Sequence, residues 1–157
     1  MKIRVGFGFD VHRLIEGREL WLGGIKLEHE LGLLGHSDAD VLIHAICDAL
    51  LGAANMRDIG YHFPDNAGEF KNIDSKILLA KTIDLIATKG YRVGNIDATV
   101  CAERPKLKAH IPAVYQKLHP VHMHIGCACF LLHCNFSCGS PIMISPLYSM
   151  PHPIHLC

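Results

Sequence analysis

The first dozen residues alternate between two kinds of side chain. Ile3, Val5, Phe7, Phe9 and Val11 hold the odd positions, while Arg4, Gly6, Gly8, Asp10 and His12 hold the even ones. Period two predicts a strand with unlike faces, so the odd set is expected in the core and Asp10 and His12 together on the other face. Leu20 to Leu27 reads as a hairpin turning at Gly23 and Gly24, because glycine reaches the positive φ of a tight turn without strain. The period then lengthens. A helix is expected from Ser37 through Leu51, with Ser37 as N-cap and Asp40 as a weak capping-box partner. Its Leu42, Ile46, Ala49 and Leu50 would face inward, and Ser37, Asp40, His44 and Asp48 would share a polar stripe. Asp58–Gly60 and Phe63–Asp65 read as loop. Asp74 to Lys89 predicts an amphipathic helix closed by Gly90, Asn95 to Glu103 a strand, and Pro112 the start of a last helix. The order predicts an α+β domain, with helices packed on one face of a mixed β-sheet.

Length adds that 157 residues suit one domain with a real core. The 15 basic and 15 acidic residues cancel and form no basic block, so neither nucleic acid nor an anionic membrane is an expected partner. Prolines and histidines interrupt every apolar run that approaches membrane-spanning length. The chain enters its first strand without a signal-like apolar stretch, and Cys47 and Cys101 sit singly in apolar patterns. A reduced, cytoplasmic protein is expected. The charges are unevenly spread, however. His119 to Cys157 holds no Asp, Glu, Lys or Arg but has six His, five Cys and five Pro, an abrupt change of composition within one chain.

Three side chains carry the clearest chemistry. Asp10 and His12 would share a strand face, and His44 would stand on the polar stripe of the following helix. Two imidazoles and a carboxylate suit a zinc-like ion and leave one tetrahedral position open, as catalytic sites do. His36 and Ser37, at a helix N-terminus, suit a phosphate, or are an ordinary cap with an incidental histidine. Arg104 to Lys108 either grips a phosphate or is a solvated basic turn.

Taken in order, several segments of residues 1 to about 118 resemble the 2-C-methyl-D-erythritol 2,4-cyclodiphosphate synthase family. They are Gly8–His12, Gly23-Gly24, Gly32–Val41, His44-Ala45, Asp48–Ala54, Asp58–Gly60, Phe63–Asp65, Asp74-Ser75, Lys89–Tyr91, Asn95–Asp97, Pro105-Lys106 and His110–Pro112. The resemblance implies a homotrimer with active sites between subunits. It implies a phosphorus–oxygen lyase that cyclises CDP-linked methylerythritol 2-phosphate and releases CMP, in non-mevalonate isoprenoid precursor synthesis. Asp10, His12 and His44 would hold one zinc ion per site, and a second divalent ion, magnesium or manganese, would assist. His36 and Ser37 would contact the substrate phosphate, with His36 stabilising transition-state charge. Asp58, Ile59, Gly60, Phe63, Pro64 and Asp65 would bind the methylerythritol part. Ala102, Pro105, Lys106, Leu107 and Lys108 would receive the cytidine nucleotide.

The likeness stops near the composition break. Family members continue with a strand ending in Thr-Thr-Glu-Lys and a Gly-Phe-Thr-Gly-Arg turn, and neither is present after His119. Residues 1–157 are expected to form one domain with an atypical 119–157 segment. A shifted reading frame beginning near His119 would explain that segment and requires Thr-Thr-Glu in another frame of the gene. A disordered tail, or a second metal cluster of Cys127, Cys129, His133, Cys134 and Cys138, are the other readings. A protein with this tail is either the synthase or a catalytically impaired metal- or nucleotide-binding protein on the same scaffold.

Overall fold

The computed structural model describes residues 3–64, 68–70 and 72–118, together with the strands Ala128–Leu131 and Ile142–Ser145. Strands β1 (Asp10–His12) and β2 (Leu14–Glu16) are followed by the hairpin β3 (Leu20–Leu22) and β4 (Ile25–Leu27), then β5 (Leu31–Leu33). Helices α1 (Val41–Ala53), α2 (Ile59–His62) and α3 (Ser75–Thr88) come next, then β6 (Ile96–Cys101) and α4 (Ile111–Leu118). Strands β7 (Ala128–Leu131) and β8 (Ile142–Ser145) complete a four-stranded sheet of order β1-β8-β6-β7. In it β8 runs antiparallel to both β1 and β6, while β7 runs parallel to β6, so the sheet is mixed as expected. Two short antiparallel ribbons, β2 with β5 and β3 with β4, lie beside it.

Helix α1 is the centre of the core. Val41, Leu42, Ile43, Ala45, Ile46, Cys47 and Leu51 are all buried, against α3 on one side and β1, β6 and β8 on another. The hairpin forms where expected, with Gly23 and Gly24 at φ +61 and +76. α3, β6 and α4 also fall in their predicted segments, α3 capped by the Asp74 side chain on the Lys76 amide and followed by Gly90 at φ +75.

The first segment keeps its predicted period but reverses its faces. Ile3, Val5, Phe7, Phe9 and Val11 are 70, 57, 65, 45 and 42 % exposed, instead of buried. The cause lies in the even positions. A Cβ added at Gly8 would stand 1.9 Å from the Ala45 carbonyl oxygen, and one at Gly6 would stand 1.8 Å from that of Ala49. The helix backbone thus rests directly on the glycines, and the large odd side chains are left on the opposite side. Only Asp10–His12 of this segment pairs as a strand.

Three further expectations are corrected. α1 begins at Val41, after Asp40, and not at Ser37. Asp40 is fully buried, not part of a polar surface stripe, because its carboxylate receives the amides of Gly23, Gly24 and Ile43. Ile59 and Gly60, read as loop, lie in the one-turn α2, which Asp58 caps on the Tyr61 amide. None of the described helices is long and apolar enough to cross a membrane.

The seat of α1 makes a paired prediction. Gly8→Ala should destabilise the chain by about 1–3 kcal/mol, the usual effect of forcing volume into a packed contact. Gly52→Ala, in α1 where an added Cβ meets nothing within 4 Å, should stabilise it by roughly 0.5–1 kcal/mol. Urea unfolding of both variants measures the difference, and a neutral Gly8→Ala would contradict the contact.

Candidate metal centre

The contact between α1 and the first segment sets His44, on the first turn of the helix, over β1. One ligand atom from each of Asp10, His12 and His44 lies within 4.8 Å of the other two. Asp10 Oδ2 is 3.0 Å from His12 Nε2 and 3.0 Å from His44 Nδ1. The other carboxylate oxygen is occupied, accepting the Val11 amide at 2.8 Å. Burial by itself would raise the Asp10 carboxyl. In the metal-free chain the two imidazoles, when protonated, donate to Asp10, and those hydrogen bonds and charges outweigh burial and hold the group well below the usual carboxylate range.

The donor set fits a divalent ion. His12 Nδ1 meets the carbonyl oxygen of Leu34, which can only accept, so Nδ1 carries a ring proton and the neutral ring keeps its Nε2 lone pair for a metal. Imidazole nitrogen and carboxylate oxygen are ligands that zinc and its neighbours share. The three side chains keep 22, 18 and 13 % of their surface exposed, so a further ligand can reach the point between them. Among the described residues this is the one group of three or more potential ligands, so the expected second divalent ion has no such group of its own there.

The loop ahead of α1 brings Ser37 to this centre. Its hydroxyl lies 3.1 Å from His44 Nε2 and accepts the Ala39 amide at 3.0 Å. His36 is next to it and exposed, with its carbonyl receiving the Asn72 amide at 2.7 Å. Arg18 holds both ends of the loop, donating to the Leu33 carbonyl at 3.2 Å and the Ser37 carbonyl at 2.8 Å. Because α1 starts only after Asp40, His36 and Ser37 sit on a loop stitched to the helix rather than at its N-terminus. Ser37 alone of the two has its side chain placed against the triad, at His44.

Asp58, Ile59 and Gly60 open α2, and Asp48 ties them to α1 by accepting the Ile59 amide at 2.7 Å. Burial is the main influence on Asp48 and pushes its carboxyl up. Phe63 is buried edge-on against Phe70, Pro64 is half-buried, and Asp65 lies outside the described residues. Ala102 and Leu107 are core residues, whereas Lys106 and Lys108 are exposed and Pro105 half-buried on the connection from β6 to α4. Among the described residues, the hydrogen bonds that join the triad to Ser37 and Ser75 do not extend to this connection. Sequence reading missed Asp40, Arg18, Asp48, Asp38 and Ser75 as parts of the site. Only Asp40, an acid two residues after Asp38 at the head of an apolar helix, offered a local signal. Of the alternative cluster in the tail, Cys127, His133, Cys134 and Cys138 lie outside the described residues, as does the Cys129 side chain.

Fold and triad define an α+β domain with a candidate metal centre of three side-chain ligands. The chain belongs to the YgbB family, whose model matches residues 3–126. It is 84 % identical to the 2-C-methyl-D-erythritol 2,4-cyclodiphosphate synthase of Bacteroides fragilis over 121 residues, 77 % of this chain and 76 % of that one. A solved 2C-methyl-D-erythritol-2,4-cyclodiphosphate synthase superimposes with a TM-score of 0.83 at 30 % identity, covering 92 % of this chain and 99 % of the other. A structure of such a synthase in its CDP-bound form gives a TM-score of 0.80 at 32 % identity, covering 91 % and 97 %.

The centre predicts that the purified chain retains roughly one divalent ion after dialysis, and that His44→Ala retains none. Elemental analysis of both proteins checks this. Equal metal content in the two would place the ion elsewhere.

Proposed function

We propose that this chain is an enzyme that closes CDP-linked methylerythritol 2-phosphate to the cyclic diphosphate and releases CMP, a phosphorus–oxygen lyase step toward isoprenoid precursors. The observation that carries the proposal is the Asp10–His12–His44 triad with its open position, in a chain 84 % identical to a synthase of that name. In the reaction an oxygen of the 2-phosphate forms a bond to the β-phosphorus. The bond from that phosphorus to the bridging oxygen breaks, and the bridging oxygen leaves with CMP.

Zinc, when held by the triad, supplies a Lewis acid for a diphosphate oxygen. The protein's own share is positioning and electrostatics. His36 and Ser37 hydrogen-bond the substrate phosphate from a loop that Arg18 clamps, and His36 offsets the charge that develops as the bond forms. Asp58, Ile59, Gly60, Phe63, Pro64 and Asp65 orient the methylerythritol part, with Asp48 holding the turn. Ala102, Pro105, Lys106, Leu107 and Lys108 receive the cytidine nucleotide from a neighbouring subunit; a related synthase has a CDP-bound form, which supports a cytidine nucleotide as ligand. Magnesium or manganese serves as the second ion, and the enzyme works in the cytoplasm.

The exposed row supports the self-association that a homotrimer requires. Five apolar side chains from Ile3 to Val11 stand 42–70 % open on one face, a row that soluble chains normally cover with a partner. Copies of this chain, meeting along that face, would bury it.

Two measurements test the proposal. Phosphorus NMR of the chain with substrate, zinc and magnesium should show cyclic diphosphate and CMP, reduced at least about 100-fold in His44→Ala. No product from the zinc-loaded wild type would refute the activity. Light scattering should give a mass of three chains for the wild type and a smaller one for Phe7→Asp; a monomeric wild type would refute the trimer.

A further inference from the structure

We propose that Ser75 and Asp38 are positioning residues for the metal centre, fixing which nitrogen of His44 is offered to the ion. The inference rests on the reading that the triad holds a metal. The two Asp38 carboxylate oxygens both engage Ser75: Oδ2 accepts its amide at 3.0 Å and Oδ1 accepts its hydroxyl. A serine hydroxyl has one proton to give. With that proton spent on Asp38, Ser75 Oγ meets His44 Nε2, 3.0 Å away, as an acceptor. Nε2 must therefore be the N–H of the ring.

A neutral imidazole has a single N–H, so Nδ1 is left with its lone pair. Nδ1 is the atom 3.0 Å from Asp10 Oδ2. A lone pair and a carboxylate oxygen facing each other at that distance repel unless a cation stands between them; a proton on Nδ1 fills that place in the metal-free imidazolium, and a metal ion replaces it once bound. The opposite tautomer would place an N–H on Asp10 and close the site as an ordinary His–Asp hydrogen bond. The orientation of one buried hydroxyl thus separates a metal-ready site from a closed one. Ser75 is 0 % exposed, so water cannot stand in for its oxygen.

The arrangement is anchored at both ends. Ser75 is the first residue of α3, and the Asp38 amide donates to the Ile73 carbonyl at 3.2 Å. His12 reaches the same end by another route, through the Leu34 carbonyl. Partners of this kind behind a metal-bound histidine commonly alter metal affinity 10–100-fold. Ser37 Oγ also lies near His44 Nε2, so the lower end of that range is expected when Ser75 alone is changed.

The test combines zinc affinity, by competition with a chromophoric chelator, and long-range proton–nitrogen NMR of the histidine rings. Ser75→Ala should bind zinc about 10-fold more weakly. In the zinc-loaded wild type, the His44 ring should carry its proton on Nε2 and the metal on Nδ1. A role confined to fastening the start of α3 to Asp38 would lower the thermal stability of the metal-free variant and leave zinc affinity intact, and that result would overturn the proposal. So would a wild-type ring protonated on Nδ1, a readout that decides the matter even where Ser75→Ala does not fold. A wild-type chain that binds no zinc would instead refute the metal reading beneath it.

Discussion

Helix α1 can lie on the first segment because Gly6 and Gly8 put no side chain in its way, and most of the molecule follows from that contact. It brings the first turn of the helix within reach of β1, so His44 arrives beside Asp10 and His12. It also decides sidedness. With the glycine face taken by the helix, Ile3, Val5, Phe7, Phe9 and Val11 have no place in the core of this chain and form the exposed row. The candidate metal centre and the exposed apolar row are therefore two sides of one short stretch of backbone.

Asp40 keeps this arrangement in register. Burial pushes its carboxyl up, and the amides of Gly24, Gly23 and Ile43 work against that by binding the charged form. A single side chain thus caps α1 and fastens the β3–β4 turn to the helix start. Arg18 does similar work for the loop carrying His36 and Ser37. Each candidate site residue near the triad is held by a backbone contact or a buried side chain. That order costs nothing further when substrate arrives, which suits a reaction carried by positioning.

Elements with local signals were legible in the sequence. Glycine pairs, caps and apolar period located the hairpin, α3, β6 and α4, and the triad emerged from the two periodicities that bracket it. The faces of the first segment were not legible by the same rule. Alternation tells that two faces differ, but whether glycines or large apolar residues meet the core depends on how close a helix comes. The start of α1 was misplaced because Ser37 and Asp40 are both good caps, and the choice was made by hairpin amides 16 and 17 residues away. β2, β5 and α2 are too short for a periodic signal. Asp38 and Ser75 meet across 37 residues, a distance no local pattern spans. The composition break at His119 did not coincide with the end of the likeness: the family match runs on to residue 126, and the structural match covers 92 % of the chain.

The central claim is that metal binding belongs to Asp10, His12 and His44, brought together by the seat of α1. X-ray absorption at the zinc edge of the wild-type chain tests it most directly, because nitrogen and oxygen ligands stand at about 2.0–2.2 Å and thiolate sulfur at about 2.3 Å. The account predicts a shell of nitrogen and oxygen only, with scattering from two imidazole rings. A sulfur shell would contradict it and move the ion to cysteines.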